Sequence, residues 1–400
     1  MFCDQVIPDY AGGSIVNLAA SLVAAYGIKP PSLPCRETLI PVAALNKGNN
    51  IVLVVCDGSG YQQLQQAMQT GRTPNLSRLA EIAPRGMQQL TSVFPSTTTV
   101  ALTSLSCART PSEHGIMGHR QWIDELQSLC NMLKFTTEAT CPVPFDEELV
   151  RTVPTVYELL SISGICSFTI SAAQYEGTAF TSLITRGSTF RGYQTQSEIA
   201  LLLEKSIKET TESRAFYSLY WPMIDTLSHI YGPLCHQDPS QACLFEFEFI
   251  DLMLGHISDC CRRHGCSLVI TADHGQIPLD PKQAIQLDNS TTEAIKCAPG
   301  GGRRALYLAT NNPDDLVQHF LRTQKEIQWI LTKEAISQGW LGGHCQSFLS
   351  RLGDIIAFPK GKGQLLYDYG QGIHLQKGAH GGLSPEEMLV PLLAIPADAW

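Results

Sequence analysis

Ile51-Val52-Leu53-Val54-Val55-Cys56, followed at once by Asp57-Gly58-Ser59-Gly60, is the stretch on which the fold turns. A short apolar run rich in β-branched residues, without polar alternation, reads as a strand buried on both faces. The Asp-Gly pair ends it in a turn and leaves a carboxylate at its carboxyl end. Gly60–Thr70 then reads as a helix. A second helix is expected over Asn75–Ile82, with Pro74 just before it.

The same alternation continues outward. Ser167–Ala172, Phe216–Trp221, Ser267–Ala272, Ala305–Leu308 and Asp354–Phe358 read as strands, and Ser240–Arg263 as a long helix. Strands alternating with helices predict an α/β layer fold. Ile15–Tyr26 is amphipathic and too short to span a bilayer, so an ordinary surface helix is expected there. Between Gln276 and Gly302 the chain turns polar and culminates in Pro299-Gly300-Gly301-Gly302, strong loop punctuation. A single domain over 1–400 is expected, with cap insertions around 121–150 and 277–363 that shape the substrate pocket. Trp122, Phe135, Trp329 and Trp340 lie in those insertions as candidates for stacking or for core.

Composition narrows the function. The 400 residues carry a net charge of −9, and the basic residues cluster no further than pairs such as Arg262-Arg263. That excludes a nucleic-acid-binding surface, which needs clustered cations. It leaves room for a small phosphorylated substrate. The 14 cysteines contain no C-x-x-C and read mostly as small buried apolar residues in a reducing compartment. With no basic n-region before the first apolar stretch and no run of membrane-spanning length, a cytoplasmic setting is expected.

Carboxylates and imidazoles recur at strand ends. Asp57 follows the first strand, Asp225 and His229 follow another, and Asp273-His274-Gly275 follows a third. His380 lies in Lys377-Gly378-Ala379-His380-Gly381-Gly382 near the C-terminus. Ligands of α/β sheets collect at the carboxyl ends of strands. Residues four apart on a helix share a face, which would pair Asp225 with His229. Each fragment alone has a bland alternative: an Asp after a strand is often a helix cap, and His380 a turn residue. Together, three Asp and three His are enough for two divalent ions with three protein ligands each. A fifth fragment, Pro95-Ser96-Thr97-Thr98-Thr99, opens an apolar helix. One of these hydroxyls is expected to cap it, and another is free to act at the positive end of the helix.

These fragments, in this order, resemble the alkaline phosphatase superfamily, in particular its type I phosphodiesterase/nucleotide pyrophosphatase branch. Thr73-Pro74-Asn75-Leu76-Ser77-Arg78-Leu79 and Pro111-Ser112-Glu113-His114-Gly115-Ile116 also look like their counterparts there. The resemblance spans roughly 51–391. It implies a three-layer α/β/α sandwich with a mostly parallel central sheet and a small cap. It also implies a two-metal centre, ordinarily zinc, with manganese or iron as alternatives. Asp225, His229 and His380 would hold one ion, and Asp57, Asp273 and His274 the other, together with the hydroxyl of the nucleophile. Thr98 falls at the nucleophile position, with Thr97 as the alternative. The implied course is attack by Thr98 and a phosphothreonine intermediate that is then hydrolysed.

His119 stands where the branch has an Asn that donates to the phosphoryl oxygen; protonated, it would serve the same charge. His114 is either a structural turn residue or part of the site. The arginine clamp of phosphomonoesterases has no counterpart, which favours diesters. Cys107-Ala108-Arg109 lacks the proline of the sulfatase motif, and Gly58-Ser59-Gly60 is no nucleophile elbow. The alternatives are a phosphomonoesterase, phosphonate hydrolase or phosphoryl-transferring mutase of the same superfamily, and a silent binding protein on the same fold. Diester against monoester turnover separates the first three from a diesterase, and loss of bound metal would mark the last.

Overall fold

The computed structural model describes residues 5–400 except 46, 49, 140, 151–152, 211–212, 236–239 and 344–345. Seven strands form the central sheet: β1 Asn50–Cys56, β2 Gln88–Thr91, β3 Cys166–Ala172, β4 Thr189–Tyr193, β5 Ala215–Trp221, β6 Cys266–Thr271 and β7 Leu389–Ile395. Their spatial order is β2-β7-β6-β1-β5-β3-β4. β6, β1, β5, β3 and β4 run parallel, and β7 runs antiparallel to both of its neighbours. β1 lies at the centre and is buried at every position, which is why its sequence shows no alternation.

Nine helices matter for the site: α1 Ile15–Ala25, α2 Tyr61–Gln69, α3 Pro74–Ile82, α4 Thr98–Cys107, α5 Val156–Ile162, α6 Ala179–Ile184, α7 Ile199–Glu209, α8 Met223–Tyr231 and α9 Gln241–His264. The period of two along β1 sorts them. Ile51, Leu53 and Val55 share a core with α1, α4, α5 and α6. Val52, Val54 and Cys56 share another with α2, α3, α7, α8 and α9. The result is the expected α/β/α sandwich, with the mostly parallel sheet between two helical layers.

Two expectations need correction. α1 is no surface helix: nearly all its residues are buried, and it packs against α4. Its polar face is covered by the chain that follows. Asn17 Nδ2 donates to the Leu33 carbonyl at 2.7 Å, and the Cys35 amide donates to Ser21 Oγ at 2.8 Å. Nor is the cap small. Arg120–Ile123, Ser128–Asn131 and Thr136–Thr137 join Gly300–Gly302, Ala305–Leu308, Ile327–Leu331 and Ile355–Pro359 in a second seven-stranded sheet. The segments expected as separate insertions meet at the Gly301–Arg120 pairing. Gly301 has φ +74°, and a Cβ there would lie 2.2 Å from the Ala305 carbonyl oxygen, so the hairpin needs glycine. Among the described residues, no helix is long and apolar enough to cross a membrane.

Candidate active site and metal centre

Asp57 leaves the end of β1, and its amide donates to the Trp221 carbonyl at the end of β5. Gly58 follows with φ +70°, and a Cβ there would lie 2.9 Å from Asp225 Cα. Only glycine lets this turn touch the first turn of α8, which carries Asp225 and, one turn on, His229. Asp273 and His274 follow β6, and His380 comes in from the loop before β7. All six sequence-predicted ligands therefore converge at the carboxyl end of the sheet.

The imidazoles are preset alike. His229 Nδ1 donates to the Gly378 carbonyl at 2.8 Å, His274 Nδ1 to Gly275 at 3.0 Å and His380 Nδ1 to Ser96 at 2.9 Å. In the neutral imidazole each Nε2 is then a lone pair facing inward, the tautomer a metal ligand needs. His274 Nε2 lies 3.4 Å from Asp57 Oδ1 and 3.4 Å from Asp273 Oδ2. Asp225 Oδ1 lies 3.3 Å from His229 Nε2 and 3.5 Å from His380 Nε2. Donor atoms of Asp57, Asp273 and His274 lie within 4.8 Å of one another, as do those of Asp225, His274 and His380.

Charge and hydrogen bonding fit divalent ions. Asp57 Oδ1 and Asp273 Oδ2 are buried without a hydrogen-bond partner, a costly state unless a cation takes the open lone pairs. Burial, and then the Asp273 and Asp225 carboxylates, push Asp57 well above the usual range. Burial raises Asp273 to about 6. Two carboxylates this close retain a proton unless a metal replaces it. Burial works to raise Asp225 too, but the His229 and His380 imidazoles outweigh it and hold it low. Burial drives His380 down to about 3. Burial works to lower His229, but Asp225 outweighs it and raises it, so that imidazole gives up a proton to bind a cation. Carboxylates and imidazoles, with no thiolate among them, suit zinc and its neighbours in the first transition row.

Thr98 is the first residue of α4, and its Oγ1 lies 3.1 Å from His274 Nε2. Thr97 is the residue before it, in extended conformation, and lines the same cavity. His119 reaches that cavity from the other side, with Nε2 3.4 Å from Asn131 Nδ2. A protonated His119 is not supported: burial, with Arg120 and His380 nearby, lowers it to about 3. His114 lies elsewhere. It is buried, with Nε2 2.8 Å from Ser104 Oγ on α4 and Nδ1 accepting from the Ile116 amide. These contacts tie the turn at Gly115 to the helix that carries Thr98.

The sequence reasoning missed several partners. The Tyr220 hydroxyl donates to Asp57 Oδ2, and Gln276 Nε2 to Asp225 Oδ1. Tyr220 was within reach of a sequence argument, being the penultimate residue of β5 and in register with Val55, just before Asp57. Gln276 comes into place only through the fold.

A cavity of about 550 Å³ opens from this centre. Asp57, Thr98 and His380 stand at one end, and the remainder runs between the sheet and the helices α1, α4, α5 and α6. Among the described residues, Leu133 is its only lining residue from the two expected pocket-shaping insertions. Trp340 and Phe135 are core, and neither Trp122 nor Trp329 lines the cavity. The insertions build the second sheet; the pocket is shaped by the helical layer.

The family model for type I phosphodiesterase/nucleotide pyrophosphatase matches residues 51–383. No curated protein matches the sequence. Murine ectonucleotide pyrophosphatase/phosphodiesterase 5, solved as an inactive variant with AMP, is similar in structure at TM-score 0.65 and 14% identity, covering 86% of this chain and 87% of that one. The human counterpart aligns at TM-score 0.64 and 16% identity, covering 86% and 87%. Phosphonoacetate hydrolase from Sinorhizobium meliloti, solved with phosphonoformate, aligns at TM-score 0.63 and 17% identity, covering 86% and 89%. At these identities the structural likeness carries the fold, while the family match carries the activity class. The chain belongs to the type I phosphodiesterase/nucleotide pyrophosphatase family of the alkaline phosphatase superfamily, metal-dependent hydrolases of phosphoric esters.

Proposed function

We propose that the protein is a two-metal phosphodiesterase that uses Thr98 as nucleophile. The observation that carries this reading is the Thr98 hydroxyl, at the N-terminus of α4 and 3.1 Å from His274 Nε2, facing the converged donors. Asp225, His229 and His380 would hold one ion, and Asp57, Asp273 and His274 the other beside Thr98. Zinc is our choice, with manganese and iron as alternatives. When bound, the ions supply Lewis acidity toward the phosphoryl oxygens and the attacking oxygen.

The chain's own contribution is positional. The free N–H groups and positive end of α4 stabilise Thr98 as an alkoxide. Thr98 Oγ1 bonds to phosphorus as the ester oxygen departs and takes up a proton. Water then cleaves the phosphothreonine. His119, neutral and held by Asn131, lies where it can donate a hydrogen bond to a phosphoryl oxygen. The cavity lining carries no Lys or Arg among the described residues, which suits a singly charged diester over a dianionic monoester. Both sheets form one catalytic unit in this reading, and unpaired buried thiols such as Cys56, Cys107 and Cys260 suit a reducing, cytoplasmic setting.

The test is turnover of a chromogenic phosphodiester and its matching monoester with zinc, with manganese and after chelation. Diester turnover is expected to depend on metal and to fall at least about a thousandfold in Thr98→Ala, with activity surviving in Thr97→Ala. Loss in Thr97→Ala alone would move the nucleophile to that position. Preference for the monoester would overturn the diesterase reading.

A further inference from the structure

We infer that the substrate is a phosphodiester carrying one long aliphatic chain, which lies in the cavity between the sheet and the helices α1, α4, α5 and α6. This rests on the hydrolase reading of the same site. Protein interiors are close-packed, with few voids larger than a water molecule. A cavity of about 550 Å³ that continues from the reacting centre into a core layer is a binding space.

The residues on the strands explain how it arises. The face of β3 toward α5 and α6 carries Thr169 and Ser171, and β5 presents Ser218 between Phe216 and Tyr220. On the opposite face the same strands carry Phe168, Ile170, Tyr217 and Leu219, tightly packed. Small side chains on one face only leave volume on that face only. Val23 of α1, Leu160 of α5 and Phe180 of α6 close the space from the helical side.

Many of the hydroxyls in the wall already have partners, while Thr99 Oγ1, next to Thr98, is buried without one. Thr169 pairs with Ser188 at 2.8 Å, Thr178 with Thr181 at 2.9 Å, Ser106 donates to the Thr103 carbonyl at 2.9 Å, and Thr185 to Thr181 at 2.7 Å. Beyond His119 and the metal-end Asp and His residues, the lining has no Asp, Glu, Lys, Arg, Asn, Gln or His among the described residues. A nucleobase and ribose would bury more polar edges than the few open partners of this lining can meet. An alkyl, acyl or prenyl chain would bury none, and its ester phosphate would meet Thr98 at the mouth.

The experiment uses the metal-loaded protein and p-nitrophenyl phosphodiesters with methyl, butyl, octyl and dodecyl groups, below their micellar concentrations. Expected is a rise in kcat/KM with chain length, by up to about fourfold per methylene buried. In Val23→Trp, which fills the cavity far from the reacting atoms, the dodecyl-over-methyl advantage is expected to fall at least about tenfold. Calorimetric binding of dodecyl phosphate against methyl phosphate to the wild-type protein gives a second reading that needs neither turnover nor the variant. Equal treatment of methyl and dodecyl compounds in turnover and in binding would overturn the inference while leaving the hydrolase reading intact. Tighter binding of dodecyl phosphate with no diester turned over would do the reverse.

Discussion

Asp57 and Asp273 share a buried space with no hydrogen-bond donor for one oxygen of each. Without a cation this arrangement costs stability. Asp273 titrates at about 6 in the folded protein against an ordinary 3.8, so its ionised form is disfavoured by folding. The sign follows by linkage: the metal-free protein loses stability as pH rises from about 4 through about 6. Asp273→Asn removes that loss and keeps an acceptor for the Gly58 and His274 amides, which Asp273 Oδ1 now serves. Urea unfolding of metal-free protein at neutral pH is expected to show the variant more stable by about 3 kcal/mol, and zinc titration is expected to show it binding far more weakly. A variant that binds zinc like the wild type would remove Asp273 from the metal set. His119 carries the opposite lesson: its position was legible by spacing, but its protonation state was not, because burial depends on what packs around it.

The loop that delivers His380 is held from several sides. Ser96 Oγ donates to the Gly382 carbonyl, and the Gly382 amide donates to Glu387 Oε1. Glu387 is buried in a bidentate pair with Arg304, which sits in the hairpin turn of the second sheet. Burial would raise the Glu387 carboxyl, but Arg304 outweighs it and holds it below its ordinary 4.5. Its stabilisation is therefore full above that pH and is lost as pH falls through the lowered value. Glu387→Gln leaves a buried guanidinium half-paired, and unfolding at neutral pH is expected to reveal a loss of about 3 kcal/mol that shrinks in acid. A loss that is the same at every pH would separate the effect from the charge. None of Ser96, Arg304 or Glu387 stood out as a site residue in the sequence, since a clamp between distant segments has no local pattern. α1 escaped for a related reason, because its polar stripe is satisfied by residues 33–35 and not by water.

At the scale of the whole molecule, the candidate donors come from the ends of β1 and β6, from α8 and from the loop before β7, so a bound metal would tie distant segments together and add to global stability. Chelation is expected to lower the melting temperature and metal to restore it, by about 2.7 kcal/mol when free metal is a hundredfold above its Kd. An unchanged melting curve would show that the converged carboxylates hold no ion in solution. The central strands at 51–56, 167–172, 216–221 and 267–272 and the six candidate donors near their ends were legible because strand periodicity and strand-end placement are local properties of the chain, whereas Gln88–Thr91, Thr189–Tyr193 and Leu389–Ile395 were not read as strands. The hydroxyl cluster that opens an apolar helix, with Thr98 in it, was legible as a candidate in the same way. The union of two distant insertions in one sheet was not legible, nor was the shared tautomer of three imidazoles, nor the cavity behind Thr98. Each of these depends on which surfaces face one another, and on small side chains such as Ser171 and Ser218 falling opposite helices that do not fill the space. Local sequence determined the strands, turns and candidate donors; tertiary packing decided their charge states, their clamps and the volume left for a substrate, because burial and contact are properties of pairs of segments far apart in the chain.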